Sequence, residues 1–203
     1  NFNSTSTIFD QNGDPQEVGT FANDSRAAQL LGIPQLKEET SSSMSVGFTT
    51  KMPEAHLTIT VDGYFVSIDD RVVYTGQFKG PGTGTELDNL LSQANASAAS
   101  FFANAIDTES KGLDIVITHD AMLGDNVKLK SDLSGTFSKT VQVGGIKASQ
   151  VLIDAGKVGT YFPEDSRVYL EEAVPSTKIN LSNSLTTDKF NVFLRNVWFG
   201  EVT

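Results

Sequence analysis

The sequence predicts an all-β chain folded as an antiparallel up-and-down meander, and three observations carry that reading. Apolar and polar residues alternate with a period of two over much of the chain after Ser42, which places one face of each strand in an apolar medium and the other in water. Parallel strands, covered on both faces, would instead read as continuous apolar runs. No window approaches the roughly 20 consecutive apolar residues of a membrane-spanning helix.

Residues 1–41 are polar and rich in turn formers, with a turn by composition at Gln11-Asn12-Gly13-Asp14-Pro15. Within them Asn23-Asp24-Ser25 offers an N-cap to Arg26-Ala27-Ala28-Gln29-Leu30-Leu31, and Gly32 and Pro34 follow. This spacing predicts a short capped helix in an otherwise long loop. In Leu57-Thr58-Ile59-Thr60-Val61-Asp62-Gly63-Tyr64-Phe65 the odd positions are apolar or glycine and the even ones carry hydroxyls or a carboxylate. Leu113, Ile115 and Ile117 alternate with Asp114, Val116 and Thr118. Val127 to Phe137 alternates most cleanly, with Lys128, Lys130 and Asp132 on its even face. Lys178 to Ser182 and Phe190 to Arg195 repeat the pattern on either side of the turn Thr186-Thr187-Asp188.

Two long connections interrupt the strands. Residues 79–98 open on Lys79-Gly80-Pro81-Gly82-Thr83-Gly84-Thr85 and pass into a short helix at Leu87-Asp88-Asn89-Leu90-Leu91, while 144–164 have weak periodicity and mix Gly144-Gly145 with Phe162-Pro163. Long connections alternating with short turns suit an outer-membrane barrel, whose strands need only about 9–11 residues to cross. Aromatic residues stand near strand ends at Phe48, Tyr64-Phe65, Tyr74, Phe101-Phe102 and Trp198-Phe199. An interfacial girdle and the core of a soluble sheet both explain that placement. If Leu57, Ile59, Val61 and Phe65 face lipid, then Thr58, Thr60 and Asp62 face the lumen. In the same way Val127, Leu129, Leu133 and Phe137 would oppose Lys128, Lys130 and Asp132.

Charge and composition exclude several functions. The chain carries 25 acidic and 15 basic residues, a net charge of −10, and has no basic stripe of the kind nucleic acid requires. The absence of cysteine removes disulfides, thiol nucleophiles and zinc–thiolate sites. Asn1-Phe2-Asn3-Ser4 lacks the basic start and apolar run of a signal peptide.

Candidate chemistry is sparse. Asp10, Asn12 and Asp14 are spaced like the first calcium ligands of an EF-hand, but Pro15 and Phe21 stand where its glycine and glutamate belong. The glycines of 80–84 suggest a phosphate loop that lacks its Gly-Lys-Ser/Thr. His56 and His119 lie near strand ends with no second histidine at metal-ligand spacing. The carboxylate pairs Glu38-Glu39, Asp69-Asp70 and Glu171-Glu172 are sequence neighbours; on a strand such neighbours point to opposite faces, so none makes an acid/base pair by itself. Asp70-Arg71 reads as a local charge pair. Asn-x-Ser/Thr sequons occur at Asn3, Asn23, Asn95 and Asn180. No catalytic, metal or cofactor site is expected, and the chain is expected not to be an enzyme.

Four segments stand in a telling order: Gly32-Ile33-Pro34-Gln35-Leu36-Lys37-Glu38-Glu39-Thr40-Ser41, then Ser45-Val46-Gly47-Phe48; the run from Leu57 to Val72, with Asp69-Asp70-Arg71 near its end; and Phe101 to Asp114. The fourth is Pro175-Ser176-Thr177-Lys178-Ile179-Asn180-Leu181, with Leu194-Arg195 and Gly200-Glu201-Val202-Thr203. In that order they resemble the late barrel strands of TonB-dependent outer-membrane receptors, the first the stretch leading into one such strand, the next two a second and a third, and the last the closing segments. The resemblance implies one segment, 1–203, of a large transmembrane barrel with long extracellular loops and one or two short loop helices, in the outer membrane of a Gram-negative bacterium. It implies energy-dependent uptake of a scarce ligand (a metal chelate, cobalamin or a glycan), powered by the inner-membrane TonB complex through a plug domain. It also implies that plug and final strands lie outside these residues, so that the segment alone does not transport. The competing expectation is a secreted, soluble β-sandwich module that binds a glycan or a protein.

Overall fold

The structure, a computed structural model, describes residues 2–9 and 12–202. In chain order these form strands β1 (Phe2–Phe9) and β2 (Pro15–Phe21), helix α1 (Arg26–Leu31), strand β3 (Thr40–Met52), a 3₁₀ turn (Pro53–Ala55) and strand β4 (Leu57–Tyr74). There follow β5 (Phe78–Lys79), α2 (Glu86–Gln93), β6 (Ala98–Ser100), β7 (Phe102–Gly124) and β8 (Val127–Val143). Helices α3 (Gln150–Asp154), α4 (Val158–Tyr161) and α5 (Glu164–Glu172) precede the last strands, β9 (Thr177–Thr186) and β10 (Asn191–Phe199). The chain is mostly β, with 55% of residues in strands and 18% in helices.

Contacts divide the chain into two compact units, one of residues 1–40, 68–108 and 142–167, the other of residues 41–67, 109–141 and 168–203. The first holds a four-stranded sheet in the order β1-β2-β6-β5. Its hairpin, β1 with β2, occupies the stretch expected to be loop. The alternation there is carried by Ser4, Thr5, Ser6 and Thr7, so a pattern based on hydrophobicity passes over it although threonine favours strands. The β2–β6 pair is parallel, with Val18 opposite Ala98, whereas every strand was expected to be antiparallel. Helix α1 runs where the capped helix was expected: the Ser25 hydroxyl accepts from the Ala28 amide, and Gly32 closes the helix at φ 71°. Helices α3, α4 and α5 were not expected. They have 5, 4 and 9 residues, too few turns for a helical period to stand out of the sequence. The core of this unit is aromatic, with the Phe101 ring between Phe21 and Phe78 at centroid distances of 6.2 and 6.0 Å. Tyr161 is buried with them, and that burial pushes its phenol up to about 12.

The second unit holds most of a six-stranded sheet in the order β10-β9-β8-β7-β4-β3. Each strand of that sheet lies beside the one before it in the chain, which is the up-and-down meander the alternation predicts. Short connections join β3 to β4, β7 to β8 and β9 to β10; the other links, 75–101 and 144–176, are long. His56 ends the first short turn in a left-handed conformation, φ 50°, and its carbonyl accepts from the Asp120 amide at 3.0 Å. Among the described residues the sheet does not close into a barrel.

Candidate functional site: the two faces of the meander sheet

The register sorts the side chains of the meander by polarity. On one side of β8, β9 and β10 lie the rows Leu129–Leu185–Val192, Ser131–Asn183–Leu194, Leu133–Leu181–Asn196 and Gly135–Ile179–Trp198. On the other lie Lys130–Ser184–Phe193, Asp132–Ser182–Arg195, Ser134–Asn180–Val197 and Thr136–Lys178–Phe199. Side-chain hydrogen bonds extend the division to the remaining strands. Ser110 bonds Thr140 at 2.8 Å and Thr118 donates to Asp132 at 2.6 Å, which sets Leu113, Ile115 and Ile117 opposite Phe137, Gly135 and Leu133. A Cβ on Gly112 would strike the Tyr64 ring, so the even residues of β4 share the polar side. Thr49 meets Thr60 there at 3.0 Å, leaving Met44, Val46 and Phe48 on the apolar side.

That apolar side is uncovered. Val46, Phe48, Leu194 and Trp198 are 75%, 62%, 59% and 56% exposed. No Lys, Arg, Asp or Glu falls on it between Leu113 and Leu123 or between Val127 and Phe137, and the charge-free band ends at Lys111 and Lys139. Its few polar groups include Ser131 and Asn183, which satisfy one another: the Ser131 hydroxyl donates to the Asn183 side-chain oxygen at 2.7 Å. The polar side carries side-chain hydrogen bonds, for instance Arg195 to Ser182 at 3.2 Å and Asn180 to Ser134 at 3.4 Å, while the side-chain oxygen of Asn180 is buried without a hydrogen-bond partner. Strand β10 differs from its neighbours because it carries apolar residues on this side too. Phe193 lies 5.4 Å from the Arg195 guanidinium and Phe199 5.4 Å from the Lys178 ammonium.

The first unit gathers a polar cluster at the strand ends. Asp70 does not pair with Arg71 as expected; it accepts from Lys147 at 2.8 Å and Lys37 at 2.7 Å, while Arg71 donates to Thr108 at 3.1 Å. Lys147 also reaches Asp107 at 2.5 Å, and Asp107 accepts from the Asp70 amide at 2.7 Å. Asp70 adopts φ 55°, which turns its amide toward that carboxylate. Asn104, 8% exposed, joins two stretches of backbone: it donates to the carbonyls of Lys37 and Asp70 and accepts from the Lys37 amide. Glu39 accepts from the Val72 amide at 2.8 Å. Sequence reading missed Asn104, Lys37 and Lys147, because they lie 33 or more positions from Asp70 and no local pattern marks them.

Hydrogen bonds from Lys147 and Lys37 hold the Asp70 carboxyl below its ordinary range. For Asp107, burial works to raise the value, and the Lys147 and Asp70-amide hydrogen bonds outweigh it to leave it lowered. A carboxylate lowered on folding stabilises the fold above its unfolded pKa and loses that contribution as pH falls through the folded one. The Lys147 ammonium, raised by the same contacts, keeps its contribution until pH exceeds its ordinary range. We expect the amides of Asp70 and Lys147 to be protected at neutral pH and their protection, taken against the intrinsic base-catalysed rate at each pH, to fall below the ordinary carboxylate range. Lys147→Met is expected to weaken that dependence, leaving the part that Lys37 and the Asp70 amide supply, which exchange measured from pH 7 down to acid conditions would check.

The glycine-rich loop is folded, not free. The amides of Gly82, Thr83 and Thr85 donate to the Asp88 carboxylate at 3.0, 3.1 and 2.9 Å, so the chain's own carboxylate fills the anion nest. Thr85 and Asp88 form a capping box on α2. Those amide bonds, led by that from Gly82, lower the Asp88 pKa. Asp88→Ala is expected to release the loop and fray the first turn of α2, seen as fast exchange at Gly82, Thr83 and Thr85.

The other candidates stay apart. Asp10 lies outside the described residues, so its grouping with Asn12 and Asp14 is not described. His119 stands exposed on the apolar side of β7, and among the described residues no three His, Asp or Glu side chains are placed to hold a metal ion. Asn23 is 7% exposed and donates to the carbonyls of Pro34 and Phe102 at 2.6 and 2.9 Å, leaving no room for a glycan. No helix among the described residues is long and apolar enough to cross a membrane. No protein-family model matches the sequence, and no curated protein matches it.

Proposed function

We propose that the chain is a segment of the barrel of a TonB-dependent outer-membrane receptor, and that the apolar side of its meander faces lipid. The observation that carries the proposal is the length of the charge-free band. From Val127 to Phe137 and from Leu113 to Leu123 it runs ten residue steps. At about 3.3 Å per residue this is about 33 Å of strand, or about 23 Å of bilayer at a tilt of about 45°. The apolar belt of an outer-membrane barrel is about 25 Å tall. Two further features support the reading. Ser131 bonds Asn183 inside the band, which lowers the cost of two of the polar groups there; His119 and Asn196 share that side. Long connections leave one end of the sheet and short turns the other.

In this role the polar side would line the lumen, and the long connections would face the cell exterior, where a small-molecule or glycan ligand is met. Energy would reach the barrel from the TonB complex through a plug outside these residues. The 203 residues contribute wall, loops and strand register, without chemistry of their own.

Accessibility tests this reading. Nitroxides placed singly at 129 to 134, in protein reconstituted into bilayers, should be reached by oxygen at the odd positions and by an aqueous nickel chelate at the even ones. Aqueous access at both would sink the lipid-facing assignment and leave the soluble sandwich module.

A further inference from the structure

We infer that the row His119–Ser131–Asn183, in the middle of the apolar side, is an interface with a second copy of this chain inside the membrane. The inference rests on the lipid-facing reading of the sheet. The Thr118–Asp132 and Ser110–Thr140 hydrogen bonds place His119 directly opposite Ser131, and Ser131 lies opposite Asn183. Leucines close the row at both ends. Leu194 stands beside Asn183, and the bond from the Asp120 amide to the His56 carbonyl sets Leu57 beside His119. His119 and Ser131 are each one position from the middle of the charge-free band, which runs from Leu113 to Leu123 and from Val127 to Phe137. Asn196 lies on the same side, opposite Leu181 in the next row.

Lipid cannot satisfy this row. Within it the Ser131 hydroxyl donates to the Asn183 side-chain oxygen at 2.7 Å. Among the described residues neither ring nitrogen of His119, nor the Asn183 amino group, nor the Asn196 carboxamide has a hydrogen-bond partner. Hydrocarbon offers no donor and no acceptor, so polar and ionisable groups at that depth are met by protein. A second copy carries the complement. An uncharged imidazole has one N–H and one bare nitrogen, and a carboxamide has donors and an acceptor, so the groups left open satisfy one another. The row reads leucine, histidine, serine, asparagine, leucine, and keeps its polarity when reversed. A two-fold axis along the membrane normal, passing beside Ser131, lays two such rows across one another. Each His119 then lies on the same flank as the Asn183 of the second copy, with leucines outside, which is the self-complementary patch of an isologous dimer. No Lys, Arg, Asp or Glu stands on that side between Leu113 and Leu123 or between Val127 and Phe137 to repel the second copy. Gly135, between Ile115 and Ile179, lets the two surfaces approach. Association follows insertion, so the two steps are read separately.

The test mixes donor-labelled and acceptor-labelled protein in phosphatidylcholine vesicles and follows energy transfer as the protein is diluted with lipid. The label sits on Ser134→Cys, on the polar side, in a chain that has no cysteine of its own. We expect transfer above the level of randomly placed molecules. His119→Leu with Asn183→Leu should weaken association about tenfold, at about threefold for each of two hydrogen bonds lost in the membrane. His119→Gln with Asn183→Gln, which keeps donors and acceptors, should retain it. Random-level transfer from wild type that inserts normally would overturn the second copy in favour of a different membrane protein, and would leave the lipid-facing sheet standing. Undiminished association of the leucine pair would remove the row from the interface and overturn the inference. A wild type that does not insert at all would sink the inference together with the lipid-facing reading.

Discussion

Leu133→Arg should prevent the chain from entering a bilayer. Leu133 stands near the middle of the apolar band, with Leu181 directly across β9 and Ile117 on β7. If that side faces lipid as proposed, a guanidinium there would meet hydrocarbon, with no carboxylate on its side between Leu113 and Leu123 or between Val127 and Phe137, at a cost of about 2–4 kcal/mol for midplane arginine in a barrel wall. The neighbouring change Ser134→Arg points to the polar side, beside Asn180, and should cost under about 0.5 kcal/mol, as surface substitutions do. Folding yield into vesicles, measured for both variants against urea, checks the pair. Equal losses would mean that the two faces do not see different solvents.

The largest loss in the first unit should come from Phe101→Ala. The ring is 0% exposed and lies between Phe21 and Phe78. Its backbone is pinned from both directions by Thr75, whose hydroxyl accepts from the Phe101 amide and whose amide donates to the Phe101 carbonyl. The chain therefore cannot settle into the vacated space, and a cost of about 3–5 kcal/mol is expected for a phenylalanine truncated in a core that does not relax. Phe101→Leu, which keeps most of the volume, should cost less. Chemical denaturation followed by exchange at the amides of β2 and β6 would measure both.

The meander was legible in the sequence because its two faces differ in polarity. Val127 to Phe137 alternates for the same reason that its register can be read: a shift by one residue would exchange Leu129 and Leu133 with Lys130 and Asp132. Helix α1 was legible because Ser25 and Gly32 supply its two ends locally. The hairpin of β1 and β2 was hidden because hydroxyl-bearing side chains write its period, and the parallel β2–β6 pair because parallel strands are joined by long crossovers that leave no adjacent signal. The Asp70 cluster was hidden for a different reason. Its members meet through the fold, and Asn104 reads as an ordinary polar residue until its three backbone partners are placed around it. The anion nest at 82–85 was visible as a glycine-rich loop, but its occupant, Asp88, lay in what read only as the following helix.

Strand β10 forms one edge of the six-stranded sheet and is apolar on both faces, with Val192, Leu194 and Trp198 on one and Phe193, Val197 and Phe199 on the other. Arg195 is the sole charge between Asn191 and Phe199. A strand with a free row of backbone donors and acceptors, apolar on either side and nearly uncharged, is a template for other chains. Until another strand covers that edge, self-assembly into stacked sheets competes with correct folding, and Arg195 acts as the gatekeeper that slows it. Covering that nine-residue edge is therefore expected to raise the yield of folded chain.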